Sequence, residues 1–416
     1  MTLFARANAV ASGLLVLLAL FVFYRGVLPG FRQVDSDFPN YYTAAKIVAD
    51  GKDVNRLYDD SWFQSQIRSY GMQLQGKFSP FPPGTALVGL PLTFFEPLTA
   101  LRISVVINLG LLVLSVIALA RLLPCSPVES AVFALLAGIG LANCLRLGQL
   151  YVLLSSLMIL GYVAYTKKQH VLAGILLGLL VPIKYFPVIF IVYFAVRKEW
   201  RLAVAGLLTA LLVGLLGVAV LGWNIHREFI SIACNHLLSR YSLQNPYAAE
   251  FQSWDGLLRR LFVFDAALNP NPLLAASGLF DAAKVLILFS LAFFGIRSLV
   301  IVHRSRDSNA EWLAIGVLGL LGLLLAPGTA TYHFVLLWLP LALLLRYYKI
   351  RGKTGVAFSL LGLYAAMGFI PYSFTRQFDG RGVMTLLAYP RLMLLLAMFV
   401  VSVYFVRNKV APGNVT

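Results

Sequence analysis

Long apolar stretches separated by short polar connectors run through almost the whole chain. A helix that crosses a bilayer needs about 17–25 predominantly apolar residues, and many of the stretches approach that length. The pattern predicts an all-α, polytopic membrane protein with about twelve transmembrane helices. The predicted spans are residues 8–28, 101–120, 128–144, 150–165, 171–183, 186–196, 202–221, 272–302, 312–325, 334–345, 355–370 and 392–406.

Several of these stretches are shorter than a bilayer is thick, which is typical of broken or tilted helices around a polar cavity. The proline-interrupted run 81–97 is predicted to enter the membrane without crossing it. The stretch 8–28 lacks a small-residue cleavage site, so we expect an uncleaved first helix. We expect residues 1–416 to form a single integral membrane domain.

The composition agrees with a chain that lies mostly in lipid, since 60% of its residues are hydrophobic and 12% are charged. The formal net charge is +17, but the basic residues fall in short clusters between apolar runs. Such clusters mark cytoplasmic loops and do not indicate a nucleic-acid partner. They predict cytoplasmic termini and two large outer loops, 30–80 and 223–270. The clusters are 167–168, 197–201, 303–306, 346–353 and 407–409.

The first outer loop has the clearest internal pattern. Residues 41–49 and 58–70 mix aromatic, small apolar and charged side chains at near-helical spacing, with a break at 51–53. This spacing predicts helices that lie in the membrane interface. Just before them stand Asp35 and Asp37, and ionisable groups at the edge of a bilayer are functional candidates because their burial is costly.

Further polar side chains lie at the outer ends of predicted spans and are candidates for the same site. Some of them, like the two aspartates, have a simpler structural explanation. The two aspartates are favoured residues for capping a helix, Lys184 can extend to the interface from an apolar helix, and Gln149 can join two helices by a hydrogen bond. The candidates on the outer ends are Arg146, Gln149, Lys184, Tyr332, His333 and Arg376.

The cysteines predict neither a disulfide framework nor a metal site. Cys125, Cys144 and Cys234 form no CxxC pair and no metal-ligand spacing with the five histidines. We therefore predict no metal and no cofactor.

Several short motifs follow one another with membrane-length spacing between them. They are Asp37-Phe38 with Tyr41-Tyr42, Phe81-Pro82-Pro83, Leu147-Gly148-Gln149, Ile183-Lys184-Tyr185-Phe186-Pro187, and Pro327 with Tyr332-His333. With these motifs in this order, the chain resembles the multispanning glycosyltransferases of family 87, which have the GT-C fold. The resemblance covers most of the chain and departs at Tyr151, where family members often carry asparagine.

The resemblance implies a transferase that takes a sugar from a polyprenyl-phosphate donor. In that family the sugar is typically mannose, in some members arabinofuranose, and the acceptor is a lipid or glycan hydroxyl outside the cytoplasmic membrane. The carboxylate of the first outer loop is the proposed catalytic base of the family. The matching residue here is Asp37.

The residue types fit this chemistry on their own account. Inverting glycosyl transfer needs one carboxylate to take the proton of the attacking hydroxyl and cations to hold the departing phosphate. Asp37 is the predicted base, Lys184 and Arg146 are the predicted phosphate ligands, and His333 is a further donor or proton carrier. The remaining predicted substrate contacts are Asp35, Tyr41, Tyr42, Gln149, Tyr332 and Arg376.

Two other classes remain open at this point. A transporter or flippase for a lipid-linked or polar substrate also needs broken helices and intramembrane charges, although transporter folds commonly contain two related halves. No such matching pair of interrupted segments is evident here. A noncatalytic membrane scaffold leaves the clustered outer charges unexplained.

Overall fold

The protein is described by a computed structural model that covers residues 3–238, 245–305, 307 and 309–409. Arg306, part of one predicted basic cluster, lies outside the described residues, as do residues 239–244 of the predicted second outer loop. The side chains of the cluster 407–409 are also outside the description.

Helices account for all the regular structure in the described ranges, and the predicted all-α class is confirmed. The α-helices are Leu3–Val22, Leu28–Arg32, Phe38–Ala49, Asp60–Ser69, Thr85–Val88, Pro97–Leu122, Pro127–Leu135, Ile139–Arg146, Tyr151–Thr166, His170–Gly178, Val188–Val196, Trp200–Leu221, Trp223–Leu238, Trp254–Phe262, Ser277–Arg304, Ala310–Leu325, Trp338–Ile350, Thr354–Phe369, Tyr372–Thr375 and Pro390–Lys409. The 3₁₀ turns are Val54–Arg56, Leu90–Leu92, Thr331–Leu337, Arg376–Phe378 and Gly382–Ala388, and Phe23–Val27 is a π-helix.

The polytopic membrane fold is also confirmed. Within the described residues, five helices are long and apolar enough to cross a membrane, or up to eight if each bent pair of helices is one span. Two of the shorter predicted spans, 171–183 and 186–196, form helices of nine residues each. A nine-residue helix rises about 14 Å, less than half of the about 30 Å hydrocarbon core, so neither crosses it alone.

Residues 30–80, the predicted first outer loop, contain the two helices that their spacing predicts. Helices Phe38–Ala49 and Asp60–Ser69 are separated by a turn in which Gly51 has a φ of +64°. The proline-interrupted run 81–97 contains only the short turns Thr85–Val88 and Leu90–Leu92, which are too short to cross a membrane. This run packs against the helix Phe38–Ala49. The contact is close, since a Cβ added to Gly89 would stand 2.9 Å from the Cβ of Ala45.

The chain divides into two compact units. The first-loop unit comprises residues Ala19–Ala118 and Leu141–Gln244. The C-terminal unit comprises Met1–Leu18, Leu119–Gly140 and Asn245–Thr416. In the C-terminal unit, the indole of the fully buried Trp338 donates a hydrogen bond of 3.1 Å to the carbonyl of Ala134.

Glycines allow two helices of the first-loop unit to approach at backbone distance. A Cβ on Gly174 would collide with the carbonyl oxygen of Leu202 and lie 2.8 Å from the Cβ of Ala205. Small residues at such crossings are the usual means of close helix packing in membranes. The helices His170–Gly178 and Trp200–Leu221 therefore pack through this contact.

We predict that Gly174→Ala lowers the thermal stability of the purified protein, by about 1–3 kcal/mol in free energy of unfolding, because the added methyl overpacks the crossing. Gly214→Ala is the matched control, since Gly214 is also a helix residue but a Cβ added there would have no atom within 4 Å. Alanine favours helix over glycine at both positions, so the difference between the variants isolates packing. Equal melting temperatures in detergent would contradict the close contact.

Candidate active site

The turn that carries Gln149 is set by backbone geometry. Gly148 follows the helix Ile139–Arg146 with a φ of +61°, in the left-handed region. The N–H of Gly148 bonds to the carbonyl of Leu145 and the N–H of Gln149 bonds to that of Cys144, at 3.4 and 2.9 Å. These two bonds form a Schellman motif, which ends the helix and fixes the position of Gln149.

Glycine is required at this turn for a second reason. A Cβ on Gly148 would lie 2.5 Å from Cδ2 of Phe38, the first residue of the helix Phe38–Ala49. The turn therefore packs directly against the start of that helix. This contact brings Gln149 next to Asp37.

Asp37 is the residue before the helix Phe38–Ala49, but its side chain does not cap the helix. Its Oδ2 instead accepts a hydrogen bond of 2.5 Å from Nε2 of Gln149. The capping explanation of Asp37 is therefore wrong, because its carboxylate turns toward another segment. At the N-terminus of a helix, the carboxylate also benefits from the positive end of the helix dipole.

Tyr41 completes a chain of hydrogen bonds. Its hydroxyl donates to Oε1 of Gln149 at 2.7 Å, and both side chains are buried. Burial raises the pKa of the Tyr41 hydroxyl well above its ordinary value, and nearby Tyr151 and Asp37 raise it further. The hydroxyl therefore stays protonated and acts as the donor in its hydrogen bond to Gln149. This fixes the orientation of the amide, so that the amide nitrogen faces Asp37.

Lys184 lies in the loop between the helices His170–Gly178 and Val188–Val196. Its Nζ stands 4.1 Å from the ring centre of Phe81 and 5.7 Å from that of Tyr151. Part of the side chain remains accessible, yet burial lowers the pKa of its ammonium to about 7. The charge of Asp37 acts in the opposite direction, which places the two groups within electrostatic range.

The loop of Lys184 is tied to the proline-interrupted run 81–97. The hydroxyl of Thr85 donates to the carbonyl of Ile183 at 3.0 Å, and a Cβ on Gly84 would stand 2.9 Å from the carbonyl oxygen of Pro182. The ring of Phe81 packs 5.0 Å from that of Tyr41, centre to centre. Phe81 therefore lies between Tyr41 and Lys184 and connects them.

Asp35 and Arg146 form a separate ion pair. Nε of Arg146 lies 3.1 Å from Oδ2 of Asp35, without the angle of a hydrogen bond. Asp35 also accepts the N–H of Ser36 at 2.7 Å. Arg146 and Lys184 were both predicted to be phosphate ligands. In the structure, however, the Asp35 carboxylate already balances the charge of Arg146. Among the cations predicted in this unit, Lys184 has neither a salt bridge nor a hydrogen bond within the described residues.

Tyr42 borders an apolar cavity that is also lined by Phe38, the residue that follows Asp37. The cavity has a volume of about 40 Å³, enough for a few water-sized groups. The hydroxyl of Tyr42 donates to the carbonyl of Phe95 at 2.8 Å. Side chains of the helix Phe38–Ala49, of the run 81–97 and of the turn after Gly148 form much of the wall, and they include Phe38, Val88, Leu92 and Leu150.

The other predicted residues belong to the C-terminal unit. The rings of Tyr332 and His333 stack with centres 5.0 Å apart, and Nδ1 of His333 accepts the N–H of Ala330 at 3.1 Å. His333 therefore closes its own helical turn, with the proton on Nε2. Arg376 is exposed at the start of a short turn.

Sequence reasoning missed Phe81 and Tyr151 as site residues. Phe81 belongs to a motif that supported the family resemblance, but a phenylalanine gives no signal of cation binding by itself. Tyr151 appeared only as a departure from the family pattern. In the described residues, no three histidine, cysteine, aspartate or glutamate side chains are grouped to hold a metal ion.

The sequence profile described as glycosyltransferase family 87 matches residues 80–327, more than half of the chain. The match includes Phe81, Gln149 and Lys184, and it begins after Asp37. A comparison with individual curated proteins gave no match.

The described residues form a polytopic helical fold that holds a carboxylate and a lysine within electrostatic range of each other. The chain belongs to glycosyltransferase family 87. It is accordingly a glycosyltransferase, with a sugar donor and an acceptor as its substrates.

The pKa of Lys184 can be tested directly. Only the neutral amine reacts with acetic anhydride, so labelling of Lys184 in the folded protein should rise with pH through a midpoint near 7. In the denatured protein the same residue should reach its midpoint at about 10.4. Asp37→Asn removes a charge that favours the ammonium, so this variant should shift the folded midpoint to lower pH.

Peptide mass spectrometry after a short labelling pulse measures both midpoints. The same midpoint in the folded and denatured protein would contradict the buried position of the Lys184 ammonium.

Proposed function

We propose that this glycosyltransferase moves mannose from a polyprenyl-phosphate donor to a hydroxyl of a lipid or glycan acceptor. The transfer takes place at the outer side of the cytoplasmic membrane and inverts the anomeric carbon, with Asp37 as general base. The observation that carries the proposal is the Asp37 carboxylate, held by Gln149 within electrostatic range of the Lys184 ammonium. Mannose and the lipid-linked donor rest on the family resemblance.

Asp37 takes the proton of the acceptor hydroxyl as its oxygen attacks the anomeric carbon. The bond between that carbon and the phosphate oxygen breaks, and its electron pair leaves with polyprenyl phosphate. The base must be an ionised carboxylate with a fixed direction. The amide of Gln149 favours the ionised form, because a hydrogen bond to a carboxylate stabilises its charge.

We assign Gln149 and Tyr41 to positioning the base. Both polar ends of the Gln149 amide are engaged inside the protein, one by Tyr41 and the other by Asp37. An amide flip would turn its oxygen toward the carboxylate and leave the Tyr41 hydroxyl without its acceptor. The cost of leaving buried polar groups unpaired, about 1–3 kcal/mol, opposes such a flip.

Lys184 holds the departing phosphate. In the free enzyme, burial destabilises its ammonium, and the faces of Phe81 and Tyr151 offset only part of that cost. An anionic phosphate would stabilise the charged form and raise its pKa. The same contact stabilises the negative charge that develops on the leaving group.

The apolar cavity lined by Phe38 and Tyr42 supports a lipid-linked donor. Its walls are almost entirely hydrocarbon, so a small apolar group, such as one isoprene unit next to the phosphate, suits it. A donor of this type carries one phosphate, and a single ammonium can balance much of that charge. No step of the proposal requires a metal ion.

We predict that Asp37→Asn abolishes transfer while leaving the protein inserted and able to bind the donor. A general base contributes about 10²-fold to 10⁴-fold to rate, and asparagine keeps the size of the side chain without its basicity. Asp35→Asn is the matched control and should lose much less, because Asp35 pairs with Arg146. The assay is acceptor-dependent release of free polyprenyl phosphate from labelled donor, which a transporter or flippase does not perform.

If Asp37→Asn kept near-normal turnover, the base would have to be sought elsewhere, at Asp35 or His333. If the unaltered protein moved the donor across vesicles without releasing polyprenyl phosphate, the assignment of this donor would fail.

We predict that Lys184→Gln weakens donor use by about 1–3 kcal/mol, the scale of a charge-assisted hydrogen bond, without preventing insertion. Lys77→Gln in the same unit is the control. The only acidic partner of Lys77 within the described residues is Asp60, at 3.9 Å, and such exposed pairs contribute little. Donor kinetics that are unchanged in Lys184→Gln would reduce Lys184 to a lysine that only packs on aromatic rings.

A further inference from the structure

Two segments of the C-terminal unit expose apolar side chains between its long helices. Residues 263–274 and 371–388 together form a surface that we call the apolar shelf. Phe264, Phe374 and Val383 have 58, 59 and 62% of their surface exposed. The other large apolar residues exposed on the shelf are Leu268, Leu273, Leu274, Met384, Leu386 and Leu387.

The two segments lie side by side. The guanidinium of Arg260, just before the first segment, pairs with Asp379 of the second at 2.8 Å. A Cβ on Gly382 would stand 3.7 Å from Cδ1 of Leu273. The exposed side chains therefore belong to one surface rather than to two separate loops.

The shelf lies at the ends of long apolar helices, two of which count as spans only together with the short helices of the shelf. Segment 371–388 runs between the helices Thr354–Phe369 and Pro390–Lys409, and segment 263–274 is followed by Ser277–Arg304. Its helical pieces turn sharply from the spans, with Tyr372–Phe378 at 82° to the first and Gly382–Ala388 at 71° to the second. Pieces nearly perpendicular to spanning helices run close to the plane of the membrane.

The charged side chains that the shelf exposes are all positive. Its two acidic residues are engaged within the protein, since Asp379 pairs with Arg260 and Asp265 accepts the N–H groups of Ala267 and Leu268. Arg376 and Arg381 are exposed, and within the described residues their side chains make no ion pair or hydrogen bond. The outward face therefore combines apolar side chains with two unpaired cations.

We propose that the apolar shelf lies in one leaflet of the bilayer, with its apolar side chains among the first acyl carbons and Arg376 and Arg381 on anionic lipid headgroups. Large exposed apolar patches mark sites that bind either a membrane or another protein. The shelf continues the lipid-facing surface of the spans, which favours lipid over a protein partner. Apolar faces flanked by arginines insert about 5–10 Å into the boundary of headgroups and acyl chains.

The shelf can be tested with a fluorophore on single introduced cysteines. The starting protein carries Cys125→Ser and Cys234→Ser, and it keeps the buried Cys144. Val383→Cys and Leu387→Cys place the label on the shelf. Gln377→Cys is the control, because Gln377 is exposed on the same segment but polar.

In nanodiscs with doxyl-labelled lipid, the two shelf labels should be quenched about twofold or more relative to the control label, as expected for side chains inserted at the acyl boundary. Replacing part of the phosphatidylcholine by phosphatidylglycerol should increase the quenching. Arg376→Gln with Arg381→Gln should remove that increase, because the surface attraction acts through these charges.

Quenching equal to that of the Gln377 label, or shelf labels as open to aqueous iodide as the control, would overturn the insertion. An increase that persists in the double arginine variant would overturn the headgroup contact. Labels protected in native membranes but exposed in nanodiscs would overturn the proposal in favour of a protein partner.

Discussion

The hydrogen bond from Gln149 to Asp37 is the interaction on which the candidate site depends. It joins the residue before the helix Phe38–Ala49 to a turn more than a hundred positions further along the chain. The left-handed Gly148 makes the turn possible, and the Tyr41 hydroxyl sets which end of the amide meets the carboxylate. A buried polar group without its partner is costly, so each member of this chain keeps the others in place.

Lys184 complements this carboxylate without neutralising it through a direct salt bridge. Its ammonium rests on aromatic faces, where attraction is weaker than in an ion pair, and burial keeps its pKa near 7. A site of this kind gains more from binding an anion than one whose lysine is already paired. By contrast, Arg146 and Asp35 balance one another nearby.

The sequence predicted what depends on local pattern. Near-helical spacing and Gly51 were enough to predict the helices Phe38–Ala49 and Asp60–Ser69, and hydropathy was enough for the membrane class. It did not predict contacts between distant segments, such as Lys184 on Phe81 or Arg146 with Asp35, because these depend on how the turns fold. A hydropathy pattern also does not show where a helix breaks. The apolar stretch 171–183 is therefore longer than the helix His170–Gly178 that it forms.

The most direct test of the account is a structure of the Asp37→Asn protein with a polyprenyl-phosphate sugar bound. The account predicts the phosphate within hydrogen-bond distance of the Lys184 Nζ, with the side chain at position 37 facing the sugar at its anomeric carbon. It also predicts the first part of the lipid in the apolar cavity lined by Phe38 and Tyr42. A donor bound with its phosphate away from Lys184, or with its sugar remote from position 37, would contradict the account.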